Sequence, residues 1–375
     1  MSAPAAARNE AAPRGAVLPR LAPVAARVVL FGTGQVGSAL LQRIVRVAPR
    51  TPEAAALQLV GVANTRRRIA SRAALDPAGV LAQLSLAGAC ATDAEAVLGA
   101  LGDEGPRIAI DASGSEGLAA CHADWLARGI HVVSANKLGQ GGPLSRWRAI
   151  RTAAAQSGAR YGDAATVGAG LPLLRTLRAL LAGGDRIEAI AGVLSGSLAW
   201  LCANHDGVRP FSARLREARA LGYTEPDPRE DLSGADVRRK LLILARSAGH
   251  ALEESAVEVQ SLVPAPLAEL PLVESEQAYG MLDAPLRLRL HEAQQTGRRL
   301  RYVARFEPGR ARVGLEALDT ADPLAAGGGC DNRVAFGSER YSERPLLIQG
   351  PGAGAAVTAA ALLDDVLQCL ADGGR

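Results

Sequence analysis

Short apolar runs and amphipathic stretches alternate along the first half of the chain from Arg27. Residues 27–31 (RVVLF) form an unbroken apolar run that stops at a glycine, the mark of a strand buried on both faces. A helix is expected over Ser38 to Val47, then a second strand over Leu57 to Ala63. Ile108 to Asp111 and His131 to Ser134 are further buried-strand candidates, with helical stretches between them. This alternation predicts an α/β fold, a Rossmann-type doubly wound parallel sheet.

The pattern changes after Gly162. A Gly-rich turn leads to a helix from Leu171 to Leu181 and a strand-like stretch from Ile187 to Leu194. Leu300 to Phe306 and Ala311 to Glu316 read as antiparallel strands joined at Pro308-Gly309. The segment implies a second α+β domain. From Pro345 the chain reads strand, Gly-rich turn and helix (Val357 to Leu370), as if returning to the first domain. The expected division is therefore 27–155 plus 345–375 for dinucleotide binding and 156–344 for the second domain. Residues 1–26 are rich in Ala, Pro and Arg without apolar periodicity and are expected to be a disordered extension. They are basic and nearly acid-free, which suits a transit peptide, yet poor in serine, which does not.

Composition narrows the function. Aromatic residues make up 3% of the 375 residues, too few for the stacking platforms of single-strand nucleic-acid binders. A net charge of +4 with no basic run longer than Arg66 to Arg68 gives no nucleic-acid footprint. No continuous apolar run approaches membrane length, since charged residues, Gly or Pro interrupt each one. Five scattered cysteines without a CxxC pair read as reduced thiols of a cytoplasmic protein. Of 42 basic residues, only Lys137 and Lys240 are lysines. Lys and Arg interchange readily on a solvated surface. They differ where a site needs a compact ammonium able to release its proton.

Three motifs carry candidate chemistry. Gly32-Thr33-Gly34-Gln35-Val36-Gly37 follows the first strand and opens the first helix, the context in which G-x-G-x-x-G binds a dinucleotide pyrophosphate. At the end of the second strand, where an NAD site usually has a carboxylate, Ala63 is followed by Asn64, Thr65 and Arg66. Arg66 can pair with a 2′-phosphate, which favours NADPH, with NAD as the alternative. Ser113 and Lys137 follow two further strands and should edge the nicotinamide pocket. In the loop from Gly222 to Asp236, prolines alternate with carboxylates, and a helix should start near Asp231 or Ser233. Within it Asp236 and Lys240 lie one turn apart. Arg238 and Arg239 precede Lys240, so the sequence keeps lysine where arginine is used next door. The turn from Ala164 to Pro172 could offer carbonyl oxygens to a hard cation, although from the residues alone a tight turn at a domain junction is the better explanation.

Together GTGQVG, VANTR, SANK, ATVGAGLP, VLSGSL, GYTEPDPREDLSGADVRRKLLILAR and IQGPGAGAAVTAA resemble homoserine dehydrogenase over nearly all of Arg27 to Leu370. The likeness is to the short fungal enzyme and to the dehydrogenase half of fused aspartokinase–homoserine dehydrogenases. It includes no kinase half and no C-terminal regulatory domain, so control by threonine is not implied. The resemblance implies a cytoplasmic homodimer that interconverts L-aspartate 4-semialdehyde and L-homoserine with NAD(P)(H), towards threonine, methionine and isoleucine. It implies cofactor contacts at Thr33, Gly34, Gln35, Val36, Ser113, Lys137 and Gly354. Substrate contacts would fall at Gly222, Glu225 and Asp236, with Glu225 suited to the substrate ammonium. Lys240 matches the proton donor, and Lys137 shares the electrostatic role. A sodium ion is implied at Ala164, Val167, Ala169 and Leu171, where Ala164 stands in place of a Glu that could offer a side chain. Two rival readings are another NADP-linked reductase of a small amino-acid aldehyde and a non-catalytic NADP-binding regulatory protein. The retention of just two lysines argues against the second.

Overall fold

A computed structural model describes residues 25–90 and 93–371. The expectation of disorder at residues 1–26 therefore falls, up to residue 24, outside the described residues.

Strands β1 (Ala26–Phe31), β2 (Leu57–Ala63), β3 (Arg68–Ala70), β4 (Arg107–Asp111), β5 (His131–Ser134) and β6 (Tyr161–Gly162) form one sheet in the order β3-β2-β1-β4-β5-β6. All neighbours are parallel except β2 and β3. The expected doubly wound sheet is thus observed. The strand order reverses between β1 and β4, where this architecture binds its ligands. The short antiparallel β3 was not foreseen. It takes up Arg68, in a stretch whose arginines hide any strand alternation.

Both faces of the sheet are covered, as its continuous apolar strands require. Helices Gln35–Val47 and Ala355–Ala371 pack over one face, burying Leu40, Leu41, Leu362 and Val366. Helices Glu116–Ala127 and Leu144–Ser157 cover the other around Trp125. The first helix starts at Gln35, three residues earlier than expected, because Gly34 already acts as its N-cap.

Strands β7 (Ile187–Val193), β8 (Val257–Val259), β9 (Arg299–Glu307), β10 (Arg310–Leu318), β11 (Asp331–Ser338) and β12 (Leu346–Pro351) form the second sheet, ordered β12-β11-β7-β9-β10-β8. Its pairs are antiparallel apart from β10 and β8. Two expected boundaries move. β6 carries the first sheet to Gly162, past residue 155. β12 pairs with β11 of the second sheet, so only the helix after it returns to the first. A lone strand before a Gly-rich turn carries no sign of which sheet it joins.

The helix Ala235–Ser247 runs through the second core with Val237, Leu241, Leu242, Ile243, Leu244 and Ala245 all buried. Asp231 and Ser233 do not serve as its N-cap. Asp231 ends up in the short helix Pro228–Leu232, which Asp227 caps, and left-handed Gly234 caps the long helix. Ser233 Oγ still accepts the Ala235 N–H at 3.2 Å. Among the described residues, no helix is long and apolar enough to cross a membrane.

Candidate active site

The loop after β1 is built by three glycines with different tasks. Gly32 has φ +94°, and a Cβ there would lie 2.7 Å from the Ala112 carbonyl group. A Cβ on Gly37 would lie 1.9 Å from the Gly32 oxygen. Those two glycines let the loop fold against itself and the loop after β4. A Cβ on Gly34 meets nothing within 4 Å, so Gly34 leaves free space at the start of a 13-residue helix. Backbone N–H groups and the helix dipole make that position suited to a phosphate. The loop is therefore shaped for a dinucleotide.

Thr33 is tied to the end of β2, where Asn64 Nδ2 donates to Thr33 Oγ1 at 3.0 Å. Asn64 Oδ1 in turn accepts from the Arg66 and Arg67 N–H groups, both at 2.9 Å. The three arginines separate. Arg67 donates to the Ser85 carbonyl and Arg68 faces Asp93. Arg66 is exposed, and its guanidinium has no partner among the described residues. It is the arginine left to meet a ligand phosphate.

Ser113 and Lys137 lie beyond the ends of β4 and β5, as expected. Lys137 Nζ reaches across to the second domain and meets Asp236 Oδ1 at 3.2 Å. Lys240 Nζ meets the other oxygen, Oδ2, at 2.9 Å and donates to the Leu194 carbonyl at 2.7 Å. The two lysines of the chain thus converge on one carboxylate from opposite domains. Lys240 is 9% exposed, buried by its helix's packing against β9 and the helix Leu138–Gly141. Burial works against ionisation of Asp236, but the ammoniums of Lys240 and Lys137 outweigh it and hold the carboxyl below its ordinary range.

Asp231 was missed as a site residue, since nothing in its spacing separates it from Asp227 or Glu230. Its Oδ1 accepts from Ser197 Oγ at 2.7 Å and its Oδ2 from the Glu225 N–H at 2.8 Å. Burial pushes its carboxyl up, aided by the charges of Glu225 and Asp236 and opposed by those hydrogen bonds. Glu225 is exposed on the loop. The three carboxylates outnumber the nearby lysines on their side, an environment suited to a substrate ammonium. Gly222 has φ +72° and ends the helix Phe211–Ala220, with its N–H on the Arg219 carbonyl. The left-handed conformation gives glycine a structural reason to stand there.

Gly354 has φ +125°, and its carbonyl accepts from the N–H and hydroxyl of Thr358. Its loop rests on the turn containing Ala164, Val167, Ala169 and Leu171. A Cβ on Gly350 would lie 2.9 Å from Leu171, and one on Gly170 3.2 Å from Val357. In that turn Ala164, Val167 and Ala169 are buried, Ala169 has φ +52°, and the Leu171 carbonyl accepts from the Leu173 N–H. Asp163, the adjacent carboxylate, is taken by Gln140 Nε2 at 2.8 Å and by Arg178. The turn offers carbonyls without a negative side chain. A cavity of about 340 Å³ lined by Trp147, Arg178 and Arg246 has no lysine or carboxylate in its lining and is separate from this site.

A Gly-rich loop at the point where the strand order reverses, with two lysines on one carboxylate beyond the strand ends, fits the dinucleotide-binding proteins of the Rossmann class. The family model for homoserine dehydrogenase matches residues 172–367, and that for the homoserine dehydrogenase NAD-binding domain matches residues 32–162. Bifunctional aspartokinase/homoserine dehydrogenase 2 of Escherichia coli is 40% identical over 90% of this chain and 42% of its own length. Homoserine dehydrogenase of Emericella nidulans is 38% identical over 71% of this chain and 76% of its own. The crystal structure of a Candida auris protein of unknown function superposes with a TM-score of 0.84 at 32% identity, over 92% of this chain and 98% of that one. The chain spans less than half the length of the Escherichia coli relative. It belongs to the homoserine dehydrogenase family.

Proposed function

We propose that the chain reduces L-aspartate 4-semialdehyde to L-homoserine, reversibly and with NADPH preferred, in the synthesis of threonine, methionine and isoleucine. The observation that carries this reading is the convergence of Lys137 and Lys240 on Asp236 at 3.2 and 2.9 Å. When bound, the nicotinamide supplies the hydride. Gly34 and the first helix turn hold the pyrophosphate, Arg66 holds the 2′-phosphate, and Ser113, Lys137 and Gly354 line the cofactor's path. Glu225, with Asp231 behind it, receives the substrate ammonium. Lys240 gives a proton to the developing alkoxide, and Asp236 keeps its ammonium aimed into the cleft. Lys137 adds positive charge where the oxyanion forms.

A monovalent cation such as sodium would sit on the carbonyls of Ala164, Val167, Ala169 and Leu171. Without an anionic ligand its hold is weak, because ligand charge sets affinity for hard cations. We further propose a homodimer acting in the cytoplasm, a setting supported by five free cysteines. The test is substrate choice. NADPH oxidation should be fastest with aspartate semialdehyde and at least tenfold slower with an aldehyde lacking the ammonium, by loss of the charged contact to Glu225. Equal rates with both would overturn this reading of the substrate.

A further inference from the structure

Behind the lysines lies a buried carboxylate with no part in the chemistry above. Asp111 is the last residue of β4 and is fully buried. Its Oδ1 accepts from the Ser113 N–H at 2.9 Å and the Ser113 hydroxyl at 2.6 Å. Its Oδ2 accepts from Asn136 Nδ2 at 2.9 Å and contacts His122 Nε2 at 3.0 Å. An ionised carboxylate only accepts, so His122 Nε2 must carry a proton. On the other side of the ring, His122 Nδ1 and the Tyr161 hydroxyl share a hydrogen bond at 2.9 Å. Trp125 packs against the His122 ring at 5.4 Å between centroids. The result is a hydrogen-bonded chain Tyr161–His122–Asp111 that ends on the carboxylate.

That chain ends on two loops. Asn136 is 2% exposed. It donates to Asp111 and to the Ser115 carbonyl at 2.8 Å, and its Oδ1 accepts the Leu138 N–H at 3.0 Å. Both neighbours of Lys137 are thereby fixed, and with them the point from which Lys137 reaches Asp236. Ser113 hangs from the other oxygen of the same carboxylate. A buried carboxylate is costly unless hydrogen bonds satisfy it, so a partial break here would disturb both loops together.

We propose that Asp111 is a positioning residue that holds the Ser113 loop against the cofactor and the Asn136-Lys137 loop against the catalytic carboxylate at once. An amide at this position would present a donor where two donors already converge. Asp111→Asn should therefore lower kcat about a hundredfold, the scale of an ångström of misplacement, and raise the NADPH Kd about tenfold. Asn136→Ala removes the link from Asp111 to the Lys137 loop, and with it the contact to the Ser115 carbonyl, but leaves both Ser113 hydrogen bonds on Asp111. It should lower kcat at least tenfold with an NADPH Kd within about twofold of wild type. Ser113→Ala should raise the NADPH Kd. NADPH binding is read by fluorescence without turnover. The kcat arm rests on the homoserine dehydrogenase reading. A wild-type chain that binds NADPH without reducing aspartate semialdehyde would overturn that reading, while the Kd of Asp111→Asn would still test this one. A folded Asp111→Asn variant with wild-type kcat and Kd overturns the proposal. If that variant does not fold, a wild-type kcat in Asn136→Ala overturns it instead.

Discussion

Replacing Lys240 by arginine separates charge from proton release. Lys240 Nζ sits 2.9 Å from Asp236 and 2.7 Å from the Leu194 carbonyl, at 9% exposure. A guanidinium keeps the charge and can still donate to both partners, but it does not give up a proton at working pH. General acid catalysis contributes about 10²- to 10⁴-fold, so Lys240→Arg should lower kcat by that factor, or about 3–5 kcal/mol of barrier. The larger head group must fit a nearly closed site. Overpacking of this kind costs about 1–3 kcal/mol, which would lower Tm by several degrees and leave the protein folded. NADPH affinity should change little, since no contact of Lys240 lies on the cofactor loop. The assay is steady-state NADPH oxidation with saturating aspartate semialdehyde, alongside thermal melting and NADPH titration. A folded Lys240→Arg enzyme with kcat within about threefold of wild type would refute the proton-donor role.

Three further outcomes follow from the geometry. Arg66→Ala should weaken NADPH by roughly 10- to 100-fold, the worth of a charge-assisted hydrogen bond, and leave NADH nearly unchanged; equal losses in a parallel titration would remove Arg66 from the phosphate site. Gly34→Ala should cost less than about 1 kcal/mol of stability, as its Cβ enters free space, yet weaken NADPH strongly, while Gly37→Ala should destabilise the fold itself; melting curves with matched NADPH titrations separate the two. The native pKa of Asp236 lies below its unfolded value of 3.8, so its contribution to stability is present above that value and lost as pH falls through the native one. The stability difference between wild type and Asp236→Asn should therefore be full near neutral pH and shrink progressively as pH falls below 3.8 towards the native value; a constant difference at every pH would contradict this.

The first sheet could be read from the sequence because parallel strands buried on both faces leave unbroken apolar runs such as RVVLF and HVV. β3 could not, as three residues with two flanking arginines carry no period. β12 was legible as a strand but not as a member of the second sheet, since pairing is decided by partners far away in the chain. Lysine usage pointed to Lys137 and Lys240, and the structure brings them onto one carboxylate. The helical spacing accounts for Asp236 with Lys240; the reach of Lys137 across the cleft is tertiary and has no local signal. Asp231 and Asp111 were passed over for opposite reasons. Asp231 was one acid among several in an acidic loop. Asp111 ended an apolar strand, and only its four hydrogen-bond donors reveal why a charge is buried there.

The most direct test of the account is the stoichiometric conversion of aspartate semialdehyde by the full chain with NADPH. The account predicts one homoserine formed for each NADPH consumed, and the reverse reaction with NADP⁺ and homoserine. Tight NADPH binding with no homoserine produced would contradict it.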